Sequence, residues 1–349
     1  MTANLRVDLD ALATNIARVR DTVAPAEVML VVKDDAYGHG LERIVLAASD
    51  AGVTWFGAFD VRTGCAVREA LGGDARIFAW IAASREDLDA AIAARIDLGV
   101  GDSELLDELA AAARAADAVV RVHLKIDTGL HRNGVRPEQW PGFVSRAAAL
   151  ERDGVIDVVG VWSHIAEASD AEDDDARRVY EWALEEAVGA GLHPAARHLA
   201  ASAASFARPE FRYDMVRVGA FCYGIRSAGG PSAEELGLVP IGTLEADVIE
   251  VGEQFVRIGL GALDGLPSTL QTRATVGTVA GPRPLVTVGS TESLVGGWPH
   301  VAVGDVVTVY GPGASGEHTA TDLAELIGTI GEEIALRVSP LVPRTYVAR

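Results

Sequence analysis

A lysine closes the apolar run VMLVVK at position 33. A charged lysine at the end of such a run is costly to bury. It either reaches out to a rim, sits in a buried ion pair, or has a lowered pKa and serves as an amine nucleophile toward carbonyl compounds. Other chemically capable side chains recur at the ends of later apolar runs. VRVHLKID carries Lys125 and Asp127 and leads into GLHRNG with Arg132. VVGVWSHI carries His164, RHLAAS ends in Ser202, and MVRVG holds Arg217 before Gly219. Taken singly, Lys125 and His164 are equally well read as satisfied polar groups near a core, and Tyr37 as a packing residue.

The runs themselves supply a frame for these groups. VMLVVK, WFGAFD, RIFAWI, DLGVG, VRVHLKID, VVGVWSHI, RHLAAS and MVRVG alternate with Ala- and Leu-rich stretches such as SELLDELAAAARAA. Continuous apolar strands separated by helical spacing indicate a parallel sheet with helices outside. Eight such units within the first two-thirds of the chain fit an α/β fold, a (β/α)8 TIM-type barrel. A doubly wound sheet is the rival, but no glycine-rich loop follows the first run. In a barrel, side chains at the carboxyl ends of the strands share one mouth, which would gather the polar residues above. Near residue 226 the composition changes. SAGGPSAEELG reads as a linker, and LEADVIEVG, FVRIGLGA, PLVTVG, DVVTVYG and IALRVSP read as strands of a smaller, mainly antiparallel β domain. TATDLAELIGTIG is expected to be its one helix, with Thr321 as N-cap. The expected domains are 8–228 for the barrel and 229–349 for the β domain, with residues 1–7 pairing with the latter.

The chain has 349 residues, 49% of them apolar, and a formal net charge of −20. That charge makes nucleic acid and anionic membrane surfaces poor partners. The acidity is spread out, and EDDDA near residue 172 reads as a solvated loop. No apolar run approaches the ~20 residues of a membrane span. The acidic N-terminal stretch lacks signal-peptide character, and two cysteines cannot build a disulfide framework, so a cytoplasmic location is expected. No metal site is expected.

In order, VVKDDAYGHG, HLKIDTGLHRNGV, VGVWSHIAEASD, HLAASAASFARPEF and YDMVRVGAFCYGI resemble the signature segments of the alanine racemase family. The closing LVPRTYV resembles that family's ending. The resemblance implies a pyridoxal 5'-phosphate barrel followed by a C-terminal β domain. It implies Lys33 as the residue that holds the cofactor as a Schiff base and acts as base on one face of the substrate. Tyr37, Ser202, Gly219 and Ala220 would hold the phosphate, and Arg217 would meet the pyridine nitrogen. Arg132 would lie beside the phenolic oxygen and the substrate carboxylate, and Lys125 matches a lysine that in relatives can be carbamylated and then orients that arginine. His164 would tune Arg217. The resemblance further implies a small amino-acid substrate and a homodimer with a composite active site.

The chain also departs from that pattern. Racemisation needs an acid/base group on each face of the substrate carbon. The family's second group is a tyrosine in a segment resembling G-Y-x-D-G; here IGLGALDGLP keeps Asp264 and Gly265 but places Ala262 at the tyrosine, with an apparent one-residue insertion nearby. No tyrosine lies between Tyr223 and Tyr310. Gly289, Ser290 and Thr291 replace a Met-Asp-Gln segment, and Ala201 replaces the asparagine usual before the serine. Glu332 falls where a tyrosine would reach the phosphate, and a carboxylate there is expected to point elsewhere or to go with a rebuilt loop. Three readings follow. The first is an amino-acid racemase of the alanine type, weak on alanine, with Tyr310, His300 or Ser290 as substitute acid. The second is a single-base enzyme, a retro-aldolase of β-hydroxy amino acids or a decarboxylase. The third is a cofactor-binding homologue without turnover.

Overall fold

The computed structural model describes residues 2–73, 75–167 and 169–348. They divide into two compact units, one of residues 19–33 and 52–219 and one of residues 1–18, 34–51 and 220–349.

The first unit holds eight parallel strands. In chain order they are β2 (Glu27–Val31), β3 (Trp55–Asp60), β4 (Arg76–Ile81), β5 (Asp97–Val100), β6 (Val120–Lys125), β7 (Ile156–Trp162), β8 (Ala196–His198) and β9 (Met215–Val218). β1 (Ala3–Asp8) belongs to the other unit. The hydrogen-bonded order runs from β8 down to β2 and on to β9. The remaining gap is bridged by Asp214 N–H to Arg197 O and Arg217 N–H to Ala200 O, both 3.1 Å, giving the expected barrel nearly complete closure. Met29, Trp55, Phe78, Trp162 and Met215 fill its interior, with Trp80 against them. Such a packed core resists displacement and gives the strand ends a rigid base. Helices 61–71, 85–94 and 103–115 each begin on a side-chain cap, from Asp60, Ser84 and Asp102, which keeps the turns leaving the barrel mouth short and defined.

EDDDA is not a loop. It lies in the first turns of helix Asp170–Gly189, capped by Ser169. Three acidic residues in that first turn complement the helix dipole, so a charge run that reads as solvent-facing also reads as a helix start.

In the second unit β10 (Gly242–Val251) pairs with β1, with β11 (Phe255–Ile258) and with β15 (Val306–Tyr310). The path continues through β14 (Ser293–Gly296) and β13 (Arg283–Val288) to β12 (Thr275–Val276), and at the other edge β1 pairs in parallel with β16 (Arg344–Val347). All pairings but the last are antiparallel. Two expectations fail here. IALRVSP is not a strand: Gly331–Arg337 is helical, with Glu332 and Glu333 in its first turn and Ile334 and Ala335 buried. That spacing places its apolar residues on one helical face, and a strand period of two would not. The other helix, Ala320–Ile327, is capped by Thr319 and not Thr321. Thr319 and Asp322 form a reciprocal capping box, while Thr321 is buried and donates its hydroxyl to Arg226 O. The expected linker also contains a capped turn of helix, Ala233–Leu236.

Candidate active site

The barrel unit brings together seven of the residues singled out by sequence. Lys33 follows β2, Lys125 ends β6, and Arg132 lies on the loop after it. His164 follows β7, Ser202 begins the helical turn after β8, and Arg217 and Gly219 lie on and just after β9. They meet because successive strands deliver their carboxyl ends to one mouth.

Arg217 is the best anchored of them. Its Nη1 donates to His198 O and approaches His198 Nδ1, both at 2.9 Å. Its Nη2 donates to Ser163 O at 2.7 Å and Leu199 O at 2.9 Å, and lies 3.3 Å from His164 Nδ1. Every Nη hydrogen therefore faces a barrel acceptor, and the Nε–H remains as the donor that can serve a ligand. Burial, and then the Arg132 charge, lower the Arg217 guanidinium to about 10. Burial, then Arg217 and Arg132, lower Lys125 to about 8. Its Nζ lies 4.3 Å from the centre of the Trp162 ring. Burial brings His164 down to about 3, helped by Arg217, Arg132, Lys125 and Lys33. His164 is thus neutral, and its ring lies among four cationic side chains. A field of that sign inside a chain of net charge −20 suits a ligand bearing phosphate and carboxylate groups.

The Arg132 loop is set by Asp127. Asp127 Oδ1 accepts from the N–H of Gly129 at 3.1 Å and of His131 at 3.0 Å, and Oδ2 pairs with His131 Nδ1 at 3.0 Å. The loop returns to the strand through Val135 N–H to Lys125 O at 2.9 Å. Gly134 makes that return feasible: at φ 125° a Cβ would stand 2.8 Å from Asp127 N. Ser202 Oγ accepts from Gly219 N–H at 3.3 Å, which leaves its O–H free to donate elsewhere.

The other unit carries Tyr37 and Ala220. Asp34, Asp35, Ala36 and Tyr37 are all left-handed, with φ between 54° and 55°. Non-glycine residues pay roughly 1–2 kcal/mol each for that conformation, so the turn persists only because its surroundings hold it. Asp35 Oδ1 accepts from Leu41 N–H at 2.8 Å, Arg344 Nε donates to Gly38 O at 3.1 Å, and Tyr346 Oη donates to His39 O at 3.1 Å. The Tyr37 and Tyr223 rings lie 4.7 Å apart and His39 stacks on Tyr223. Tyr37 is buried, and burial followed by the charges of Glu332 and Asp34 raises its phenol well above the ordinary range, so it stays a donor. Glu332 lies in the first turn of the helix at 331–337, and its charge is one of those that raise Tyr37. Ala262 is exposed on a turn whose N–H groups at 262 and 263 donate to Gly289 O and Ser290 O. That places Ser290 beside it. His300 lies beyond the opposite end of the β11–β14 ladder, and Tyr310 is 3% exposed with its hydroxyl turned inward.

Sequence reasoning missed the groups beneath Arg217. Asp97, His123 and His198 are fully buried. The signals were an aspartate opening the apolar run DLGV and a histidine inside each of VRVHLK and RHLAAS. Arg76 and Arg121 hold the Asp97 carboxylate, at 2.5 and 2.6 Å. Although burial alone would raise it, the His123 and Arg76 contacts bring Asp97 below the ordinary aspartate range. A depressed carboxyl contributes stability that is complete above the unfolded pKa of ~3.9 and is lost as pH falls through the folded value. Asp97→Asn should therefore lower the denaturation midpoint at pH 7 and flatten its fall between about pH 4 and pH 2. An acid limb as steep as that of the wild type would show that Asp97 does not carry this linkage. Among the described residues no cluster could hold a metal ion, and no helix is long and apolar enough to cross a membrane.

The family model described as alanine racemase, N-terminal domain, matches residues 7–227, and that of the C-terminal domain matches residues 248–346. A protein named alanine racemase from Beutenbergia cavernae is 39% identical over 98% of this chain and 97% of its own length. One from Thermobifida fusca is 38% identical over 99% of this chain and 98% of its own. The solved structure of alanine racemase from Streptomyces coelicolor superposes with a TM-score of 0.95 at 32% identity, covering 100% of this chain and 98% of that one.

Proposed function

We propose that this chain, which belongs to the alanine racemase family, is a pyridoxal-phosphate-dependent isomerase that interconverts the enantiomers of alanine. The observation that carries the reading is the barrel mouth itself, where Arg217 lies against His164 and the charges of Arg217, Arg132, Lys125 and Lys33 help burial keep it neutral. The donor set fits the cofactor. Arg217 has its Nε–H left for an aromatic nitrogen, and the Ser202 hydroxyl and Gly219 lie together for a phosphate. For Tyr37 and Ala220 the assignment to the phosphate rests on the family resemblance.

When bound, the cofactor supplies an electron sink for the pair released as the substrate's α-proton leaves. Lys33 anchors it and takes or returns that proton on one face. Arg217 cannot give up a proton readily, so the ring nitrogen it meets stays unprotonated and the sink is moderated. Arg132 holds the substrate carboxylate. Lys125 has a fraction of neutral amine near neutral pH, which is the form that adds carbon dioxide, and the carbamate would pair with Arg132. His164 stays uncharged and tunes Arg217.

A homodimer with a composite site is part of the same proposal. In the β-rich unit Leu263 and Leu341 are 72% and 85% exposed, and Ser339 N–H to Asp264 O brings their segments side by side. An apolar patch of that kind suits a second copy. Both cysteines are free, as suits a reducing compartment, which we take to be the cytoplasm.

Exposed Ala262 favours a second reading, in which one base acts alone and a β-hydroxy amino acid is cleaved. Purified, cofactor-loaded protein given L-alanine should yield D-alanine by chiral chromatography. Release of glycine and an aldehyde from threonine, with no D-alanine formed, would select the second reading and sink the first.

A further inference from the structure

We propose that His123 and His198 form a one-directional hydrogen-bond chain, oriented by the field of the buried Asp97 carboxylate, that positions Arg217 for the cofactor, making His123 and Asp97 positioning residues of the reaction. The inference rests on the proposed cofactor site and deepens it.

The direction of the chain follows from what each group can donate. Arg217 Nη1 is only a donor, so the His198 Nδ1 that lies 2.9 Å away must be unprotonated. Burial, with Arg217 and His123 nearby, holds the His198 ring well below the ordinary histidine pKa, so it carries a single hydrogen, on Nε2. That Nε2–H lies 2.8 Å from His123 Nδ1, which must therefore accept. His123 is likewise held neutral by its burial, against the pull of Asp97, and its hydrogen is on Nε2. His123 Nε2 points to Asp97 Oδ2 at 3.6 Å, longer than a hydrogen bond but within direct reach of the carboxylate's field. No other assignment avoids setting two donors, or two acceptors, face to face.

The placement is built into the fold. Asp97 opens β5 at the amino end of the barrel, and its charge is shared with Arg76 at the start of β4 and Arg121 on β6. His198 ends β8, and Arg217 lies on β9 near the carboxyl end. The chain thus spans the barrel from one end to the other. Gly160 on β7 makes room for it, since a Cβ there would collide with His123 Nδ1. Trp162 stacks on His198 with ring planes 4° apart and Phe78 packs edge-on against it, while Trp55 and Phe78 pack against His123, so neither imidazole is free to turn. Two imidazoles in series carry the influence of a buried carboxylate to a guanidinium while keeping the intervening core uncharged.

The test uses holoenzyme labelled with 15N in histidine, and two variants. In the wild type both His123 and His198 should show Nε2–H and bare Nδ1; an Nδ1–H on either ring overturns the chain. His123→Met removes the acceptor for His198 Nε2–H, so the His198 ring is no longer fixed on the side away from Arg217, while the direct contacts of Arg217 stay. It should still bind cofactor, but with kcat for alanine racemisation reduced roughly tenfold, as for other residues that orient a primary ligand, and KM within about twofold. His123→Gln can accept through its amide oxygen and donate through its nitrogen, and should recover most of the loss. A folded, cofactor-loaded His123→Met with wild-type kcat would overturn the positioning role. A wild type without racemase activity would sink the proposed function, while the tautomer measurement still decides the chain.

Discussion

Lys33→Ala should leave a folded protein that has lost the visible absorption band of the lysine-bound cofactor and at least ~10³-fold of its alanine turnover. Two independent contributions disappear together, the covalent anchor and the proton carrier on one face. Folding should survive, because Lys33 lies beyond the end of β2 and the left-handed turn after it is held by Asp35, Arg344, Tyr346 and Tyr223, none of which is altered. No neighbour can take over both jobs. Lys125 is committed beside Trp162, and His164 is neutral with its Nδ1 facing Arg217. Spectroscopy on the variant with added cofactor, alongside chiral analysis of the product, checks both halves. Persistence of the band, or turnover near that of the wild type, would remove Lys33 from the site.

Ala262→Tyr should raise alanine turnover about a hundredfold, at the low end of what a well-placed acid/base group contributes. The turn is ready to present the ring. Gly261 N–H is held by Asp264 Oδ2 at 2.8 Å, and Ala262 and Leu263 are tied to residues 289 and 290, so the backbone need not move. Ala262 is exposed, and a larger side chain there meets no wall within its own unit. The gain requires that the partner's turn faces the barrel mouth, as in the proposed composite site. If the wild type already racemises alanine as fast as the variant, another group or a water molecule supplies the second proton and the residue at 262 does not limit the rate. A parallel fall in any cleavage of β-hydroxy amino acids would show that the small residue had been making room.

The amino-acid sequence alone determined the barrel and named candidates for its mouth. Lys33, Lys125, Arg132, His164, Ser202 and Arg217 each close or follow an apolar run, and the parallel barrel sends all such ends to one side, so linear order was enough to gather them. Local spacing was weaker where charge and periodicity disagreed. EDDDA became a helix start, and IALRVSP became a helix, because burial on one face decided between two patterns that each local run could satisfy. What only the tertiary structure decided lies between strands. Asp97, His123 and His198 are far apart in the chain and share no motif, yet the closure of the barrel sets them in a line under Arg217. Glu332 likewise comes to act on Tyr37 through packing that no spacing encodes. Directional contacts across a barrel depend on register and closure, and those are properties of the assembled sheet, whereas the strand ends are properties of the runs themselves.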